Sequence, residues 1–281
     1  MISLKEIIYS LKENQAILHY NVSSLEQIKA GIEAVKETKI PLIFGVSEGE
    51  REYLNSDLVK KIIDFYREND NLEGLIFLNA DHTKNFENAV RALEKGYDEI
   101  LIDGSELNLE ENIKITKKII EFRDKSNKNC LIEGEVGFLP GKSEIQEKIE
   151  INEENLTNPD EALKFVEETK VDLLAISIGN VHGILPFVPK LDFERAKRIK
   201  ELVKIPLVLH GASGLGIDNI KKCIDLGFKI IHINTEFRKI WKEKLREELE
   251  KETVTPYKIY PPIIQALKEK IIFYQKLFYS N

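Results

Sequence analysis

Short apolar, β-branched runs alternate along the chain with longer stretches whose apolar residues recur at helical spacing. Eight runs stand out: AILHYNV (16–22), PLIFGVS (41–47), LEGLIFLN (72–79), EILIDGS (99–105), CLIEGEV (130–136), LLAISIG (173–179), PLVLHGA (206–212) and KIIHINT (229–235). An amphipathic stretch fills each gap, the alternation that predicts βα units around a parallel sheet. Ser24, with Gln27 three residues on, predicts a capped helix over residues 25–39, and Asn158, Pro159, Asp160 and Glu161 predict another helix start. Gly96 and Gly227 fall where helices end. Residues 2–14 read as a helix before the first strand, and YPPIIQALKEKIIFYQKLF (260–278) as one after the eighth unit, packing on the barrel or on another subunit. Eight regular repeats predict a closed (β/α)8 TIM barrel with added N- and C-terminal helices. One domain over residues 1–281 follows, in preference to an open doubly wound sheet.

The 281 residues and 42% hydrophobic content suffice for such a barrel. The net charge of −7, with acids and bases interleaved, excludes the concentrated basic face that a nucleic-acid or anionic-membrane partner needs. Only Cys130 and Cys223 occur, far apart, so neither a disulfide framework nor a thiolate metal site is expected; a reducing cytoplasm suits the chain. The opening MISLKEIIYSLKEN carries charges throughout and is no signal peptide, while glycines and Asn180 break the longest uncharged run, 173–189. The irregular connection from Gly137 to Asn158 is long enough to be a lid or binding loop.

Three of the strand runs end on histidine: LIFLNADH at His82, LLAISIGNVHG at His182 and IPLVLHGASG at His210. Strand C-terminal ends converge on one mouth of a barrel, so three neutral imidazoles can meet there around a metal with an open fourth position. A buried imidazole with one hydrogen bond explains any of them singly; the joint pattern favours the metal. His232 also lies at a strand end, whereas His19 lies inside the first run. Asp81, Asp103, Glu133 and Glu135 gather at the same mouth, where some would orient ligands and Asp81, beside His82, is best placed for proton transfer.

After the seventh and eighth runs come Gly211, Ala212, Ser213 and Gly214, then Asn234, Thr235 and Glu236. Barrels bind phosphate with the loops at these positions, through backbone N–H groups and a helix N-terminus. A plain turn is the alternative, and the glycine spacing does not fit a dinucleotide fingerprint.

Taken in order, HYNV (19–22), ADH (80–82), LIDGS (101–105), EGEVG (133–137), GNVHG (179–183), LHGASG (209–214) and INTE (233–236) resemble the class II, zinc-dependent fructose-bisphosphate and tagatose-bisphosphate aldolases over nearly the whole chain. The resemblance implies a metal-dependent, reversible cleavage of a phosphorylated ketose to dihydroxyacetone phosphate and an aldehyde. It implies a catalytic Zn2+ on His82, His182 and His210, Asp81 as the acid that protonates the aldehyde oxygen, and Asp103 and Glu135 at positions that hold a second or alternative divalent metal. Asn21, Ser47, Gly183, Gly211, Ala212, Ser213 and Thr235 match substrate and phosphate contacts, with Asn234 expected at the same wall, and a monovalent cation often accompanies that phosphate site in the family. A homodimer or homotetramer is implied as well.

Two positions depart from the pattern. The family usually carries Asn where this chain has His232, and Asp, Ala or Gly where it has Asn234. Counting from Glu135, the loop glutamate that abstracts the substrate proton falls at Ser143, with Glu144 beside it, and no basic residue matches the grip on a second phosphate. Two alternatives stay open: a diverged member acting on another phosphorylated carbonyl substrate, and an inactive phosphosugar-binding barrel.

Overall fold

The computed structural model describes residues 2–126 and 128–279. Its centre is a closed barrel of eight parallel strands: β1 (Ile17–Asn21), β2 (Leu42–Val46), β3 (Ile76–Thr83), β4 (Glu99–Ile102), β5 (Leu131–Val136), β7 (Leu173–Ile176), β9 (Leu207–Leu209) and β10 (Phe228–Ile233). The (β/α)8 expectation holds. Each strand is buried on both faces, which is why the strands read as near-continuous apolar runs.

Strand alternation sorts these residues into two packings. Leu18, Tyr20, Leu42, Phe44, Leu78, Ile100, Ile132, Leu174, Leu209 and Ile231 pack with the surrounding helices, whereas Ile17, Ile43, Phe77, Leu131, Leu173, Val208 and Ile230 meet inside the barrel. The N-terminal helix α1 (Leu4–Ser10), shorter than the 2–14 expected, closes the bottom by inserting Leu4 and Ile8 into that inner cluster. Above it the lumen turns polar: His19, Asn79, Glu99, Glu133, His210 and His232 are all at most 5% exposed. The barrel therefore has an oily stopper below and a buried polar storey above.

The third run is displaced: β3 spans 76–83, four residues beyond the apolar segment, because Leu72 and Leu75 belong to the preceding turn. Two helices, α3 (Glu48–Leu54) and α4 (Ser56–Asn69), fill the gap before it. Helix α2 (Leu25–Thr38) is capped by Ser24 as expected, but the Gln27 side chain accepts from Ser23 rather than completing a box. Helices α5 (Phe86–Glu94), α6 (Leu109–Lys125), α7 (Pro159–Thr169), α8 (Phe193–Val203), α9 (Ile217–Asp225) and α10 (Thr235–Leu249) follow. Asn158 caps α7, with Pro159 in its first turn. The connection after β5 is not featureless: β6 (Gly141–Ile145) pairs with β8 (His182–Ile184) as a separate two-stranded sheet over the mouth. The C-terminal helix α11 (Pro256–Tyr279) starts earlier than Pro261 and Pro262 suggest and packs on this same barrel, against α2 and α10.

Candidate active site

The C-terminal ends of the strands enclose a cavity of about 240 Å³ whose walls include Asn21, Asp81, His82, His182, His210 and His232. Strand alternation alone would turn neighbouring residues Asp81 and His82 to opposite faces. A register shift between Ala80 and Thr83, with His82 at φ 43°, breaks the alternation and lets both reach the cavity. A non-glycine residue with positive φ is strained, and such strain gathers at functional sites.

The His82 ring lies 5.1 Å from the rings of both His182 and His210, edge to face, and those two are 6.4 Å apart. Donor atoms of Asp81, His82 and His210 fall within 4.8 Å of one another, as do those of His82, Asp103 and Glu135. Among the described residues His182 joins no trio that tight. Two of the rings have a carboxylate behind them. His82 Nδ1 sits 2.9 Å from Asp103 Oδ2 and 3.8 Å from Glu135 Oε2, and His210 Nε2 sits 2.8 Å from Glu133 Oε1.

Electrostatics follow from this packing. Burial alone would lower His82, yet Asp81, the hydrogen bond to Asp103 and the charge of Glu135 raise it to about 10. Burial, reinforced by His82, pulls His182 down to about 4 and holds His210 well below the usual range. Burial and the neighbouring Asp103 push Glu135 up to about 8. Buried donors and acceptors here lack partners: Asp81 Oδ1, Glu135 Oε2 and His232 Nε2. Two neutral imidazoles, a His82 whose positive charge is called for by surrounding carboxylates, and unmatched buried atoms suit a divalent cation in place of the His82 proton, so the residues present fit a metal.

The remaining wall is built to approach an anion closely. Gly211 has φ 63°, and a Cβ there would meet Val181 O at 2.1 Å, so only glycine lets the loops after β7 and β9 close on each other. Ser213 Oγ accepts from the Asn234 and Glu236 amides and so does the capping that the Asn234 side chain does not, at an α10 N-terminus that meets the cavity wall. Gly183, Gly211, Ser213, Asn234 and Thr235 line the wall.

Ala212 does not: its amide donates to His232 O and its methyl group packs in the shell between barrel and helices. Asn21 donates to Asp81 Oδ2 at 2.8 Å and to Glu50 Oε2 at 3.2 Å, while Ser47 caps α3 in a reciprocal box with Glu50. On β6, Ser143 faces the cavity whereas Glu144 is exposed, because alternation along the strand turns it away.

Two residues absent from the sequence expectations complete the site. Arg238, one turn into α10, lines the cavity, donates to Glu50 Oε1 at 2.8 Å and reaches Ser143 O at 3.2 Å. Glu50, 6% exposed, holds Asn21, Ser47 and Arg238 together. The S-x-x-E spacing of Ser47 and Glu50 was the available signal for Glu50; Arg238 carries none beyond lying three residues after Thr235.

Residues 2–281 match the family model described as fructose-bisphosphate aldolase class-II. The chain belongs to the class II fructose-bisphosphate aldolase family. It is 32% identical to a fructose-bisphosphate aldolase of Staphylococcus epidermidis, over 96% of this chain and 94% of that one. It is equally identical to one of Geobacillus stearothermophilus, over 100% and 98%. Among solved structures it is similar to the YdjI aldolase from Escherichia coli K12, with a TM-score of 0.82 and 28% identity over 99% of this chain and 97% of that one. This class II aldolase is a carbon–carbon lyase from a family that is generally metal-dependent, and membership supports aldol cleavage of a phosphorylated ketose. No helix among the described residues is long and apolar enough to cross a membrane.

Proposed function

We propose that this aldolase cleaves a ketose 1,6-bisphosphate of the fructose or tagatose type to dihydroxyacetone phosphate and an aldehyde, with Zn2+ held by His82, His182 and His210. The observation that carries the reading is one cavity whose walls bring together three imidazoles, Asp81 with an unpartnered oxygen, and the N-terminus of α10. Zinc, when bound, supplies Lewis acidity that eases proton removal next to a carbonyl.

The chain's own groups do the rest. The N–H groups at the start of α10, with Gly211 and Ser213, grip the phosphate of the dihydroxyacetone phosphate half, and a monovalent cation beside it balances charge. Asn21 holds Asp81 by hydrogen bond so that its other oxygen faces the substrate. In cleavage that carboxylate takes the proton of the hydroxyl on the carbon that becomes the aldehyde; in condensation it returns it. His232, beside Asp81, donates to the oxygen on which negative charge develops. Glu144 exchanges the carbon-bound proton after β6 swings it inward. Asp103 and Glu135 orient His82 and offer a second or alternative metal position. The enzyme works in the cytoplasm as a homodimer or homotetramer.

A second reading is supported by Arg238, already paired with Glu50. A partly neutralised guanidinium grips a second phosphate weakly, which favours a phosphorylated carbonyl substrate with one phosphate. Retro-aldol assays on zinc-loaded enzyme, with fructose and tagatose 1,6-bisphosphates beside their monophosphates, separate the two. Turnover abolished by chelator supports the first reading where bisphosphates are preferred, and the second where monophosphates are. No turnover across the panel at full zinc occupancy overturns both, and phosphosugar binding without turnover marks an inactive barrel.

A further inference from the structure

Below the cavity, imidazole rings are piled face to face. His19 on β1 and His232 on β10 are paired positions in the parallel register of adjacent strands, and their rings stack at 3.5 Å between centroids and 6° between planes. His232 also meets His210 at 3.9 Å with a 32° tilt. Two rings at those separations cannot share one face of an imidazole, so His232 is clamped between them.

The seat for His19 is cut into β2. A Cβ at Gly45 would lie 2.0 Å from His19 Cε1 and 2.4 Å from Nε2, so the ring fits only because residue 45 has no side chain. Both His19 nitrogens are buried without hydrogen-bond partners. The Asn79 side chain interacts with the ring without a hydrogen bond of ordinary geometry, so the flat face of His19 is what its seat fits most closely.

Donor atoms of His19, Asp81 and His232 approach within 4.8 Å of one another, which suggests a further metal site. The ring planes rule it out. An imidazole binds a metal along a lone pair in its own plane, and lone pairs in nearly parallel planes 3.5 Å apart do not converge on one ion. What the stack does fix is direction. His232 Nδ1 stands 3.7 Å from Asp81 Oδ1, too far for a hydrogen bond, so neither atom is spent on the other.

We propose that His19 is a positioning residue for the aldol reaction: seated over Gly45 and stacked on His232, it sets the plane of the His232 ring and so the aim of Nδ1 beside Asp81. The proposal rests on the reading of His232 as a substrate contact. An asparagine at position 232 would need no stacking partner, so the pair acts as a unit.

The test is a double-mutant cycle with His19→Ala and His232→Asn, reading kcat, KM, zinc content and melting temperature, together with crystal structures of the parent and His19→Ala proteins. Expected are a kcat loss on the order of 10- to 100-fold for His19→Ala, as small misplacements produce, with KM nearly unchanged and zinc retained. In the His232→Asn background the same change should have almost no further effect. Equal losses in both backgrounds, or an effect on KM alone, would overturn the proposal. If the parent enzyme turns over no phosphoketose, the functional reading fails separately. The structures still decide the positioning role: a His232 ring that keeps its plane without His19 refutes it, and a rotated ring supports it.

Discussion

Glu133 Oε1 lies 2.8 Å from His210 Nε2 with both side chains fully inside the barrel. With the proton on Nε2 this hydrogen bond fixes the tautomer and leaves Nδ1 free to face an ion, the arrangement by which a carboxylate behind a histidine strengthens metal binding. Burial and the neighbouring Glu99 push Glu133 well above the usual carboxylate range, so its charge is drawn out only by a cation at His210; Glu133→Gln keeps the shape and denies the site that charge. Zinc affinity should fall by roughly 10- to 100-fold, measured by competition with a chromogenic chelator, while the metal-free variant melts close to the parent. Unaltered affinity would show that packing alone orients His210.

Arg238 is the permanent cation on the cavity wall, and it spans Glu50 and the β6 backbone. Arg238→Ala should raise KM for a phosphorylated ketose on the order of tenfold, the equivalent of one charge-assisted hydrogen bond, with a much smaller change in kcat. Initial-rate kinetics on the zinc-loaded enzyme measures the split. A collapse of kcat at constant KM would instead place the guanidinium at the reacting atoms.

Glu99 is fully buried on β4, and burial pushes it up to about 7, against the partial relief given by Glu133 and Asn79. A folded-state value above the unfolded one means that the native protein holds the proton longer. Stability is therefore full below the ordinary carboxylate range and declines as pH rises towards 7. Glu99→Gln removes that loss. Its melting temperature should exceed the parent's by on the order of a few degrees at pH 8 and match it near pH 5, as thermal denaturation at the two values will show. A constant difference at both would mean that the carboxyl does not titrate in this range.

The eight strands could be read from the sequence because a parallel barrel buries both strand faces, leaving β-branched runs bounded by turns. The misplaced third strand shows where that signal stops. Its second half, Asn79 to Thr83, is polar because its inward positions belong to the site, so apolar pattern ends before the strand does. Strand β6 carried no pattern because it is largely exposed and held by β8. That the histidines and Asp81 line one cavity could be read from their places at run ends, but the bulge that lets Asp81 and His82 face the same way is a register event with no local residue signature. Glu144 and Ala212 show the limit of counting along a loop: one residue's difference in facing takes the first to solvent and the second into the shell. The capping-box spacing marked Glu50 as a helix-start residue, but its place in the site, and Arg238 altogether, became visible only once helices α10 and α3 were brought to the same mouth.

The small sheet over the mouth ties Glu144 and His182 together. Gly141 pairs with His182, the His182 amide bonds to Pro140 O, and the Gln146 side chain bonds to His182 O. Glu144 thus rides on the same ribbon that aims one of the three imidazoles. If Glu144 and His182 act as proposed, a swing of the ribbon that delivered the carboxylate would also pull on His182, and grip on the ion and access to it would be geared to a single movement.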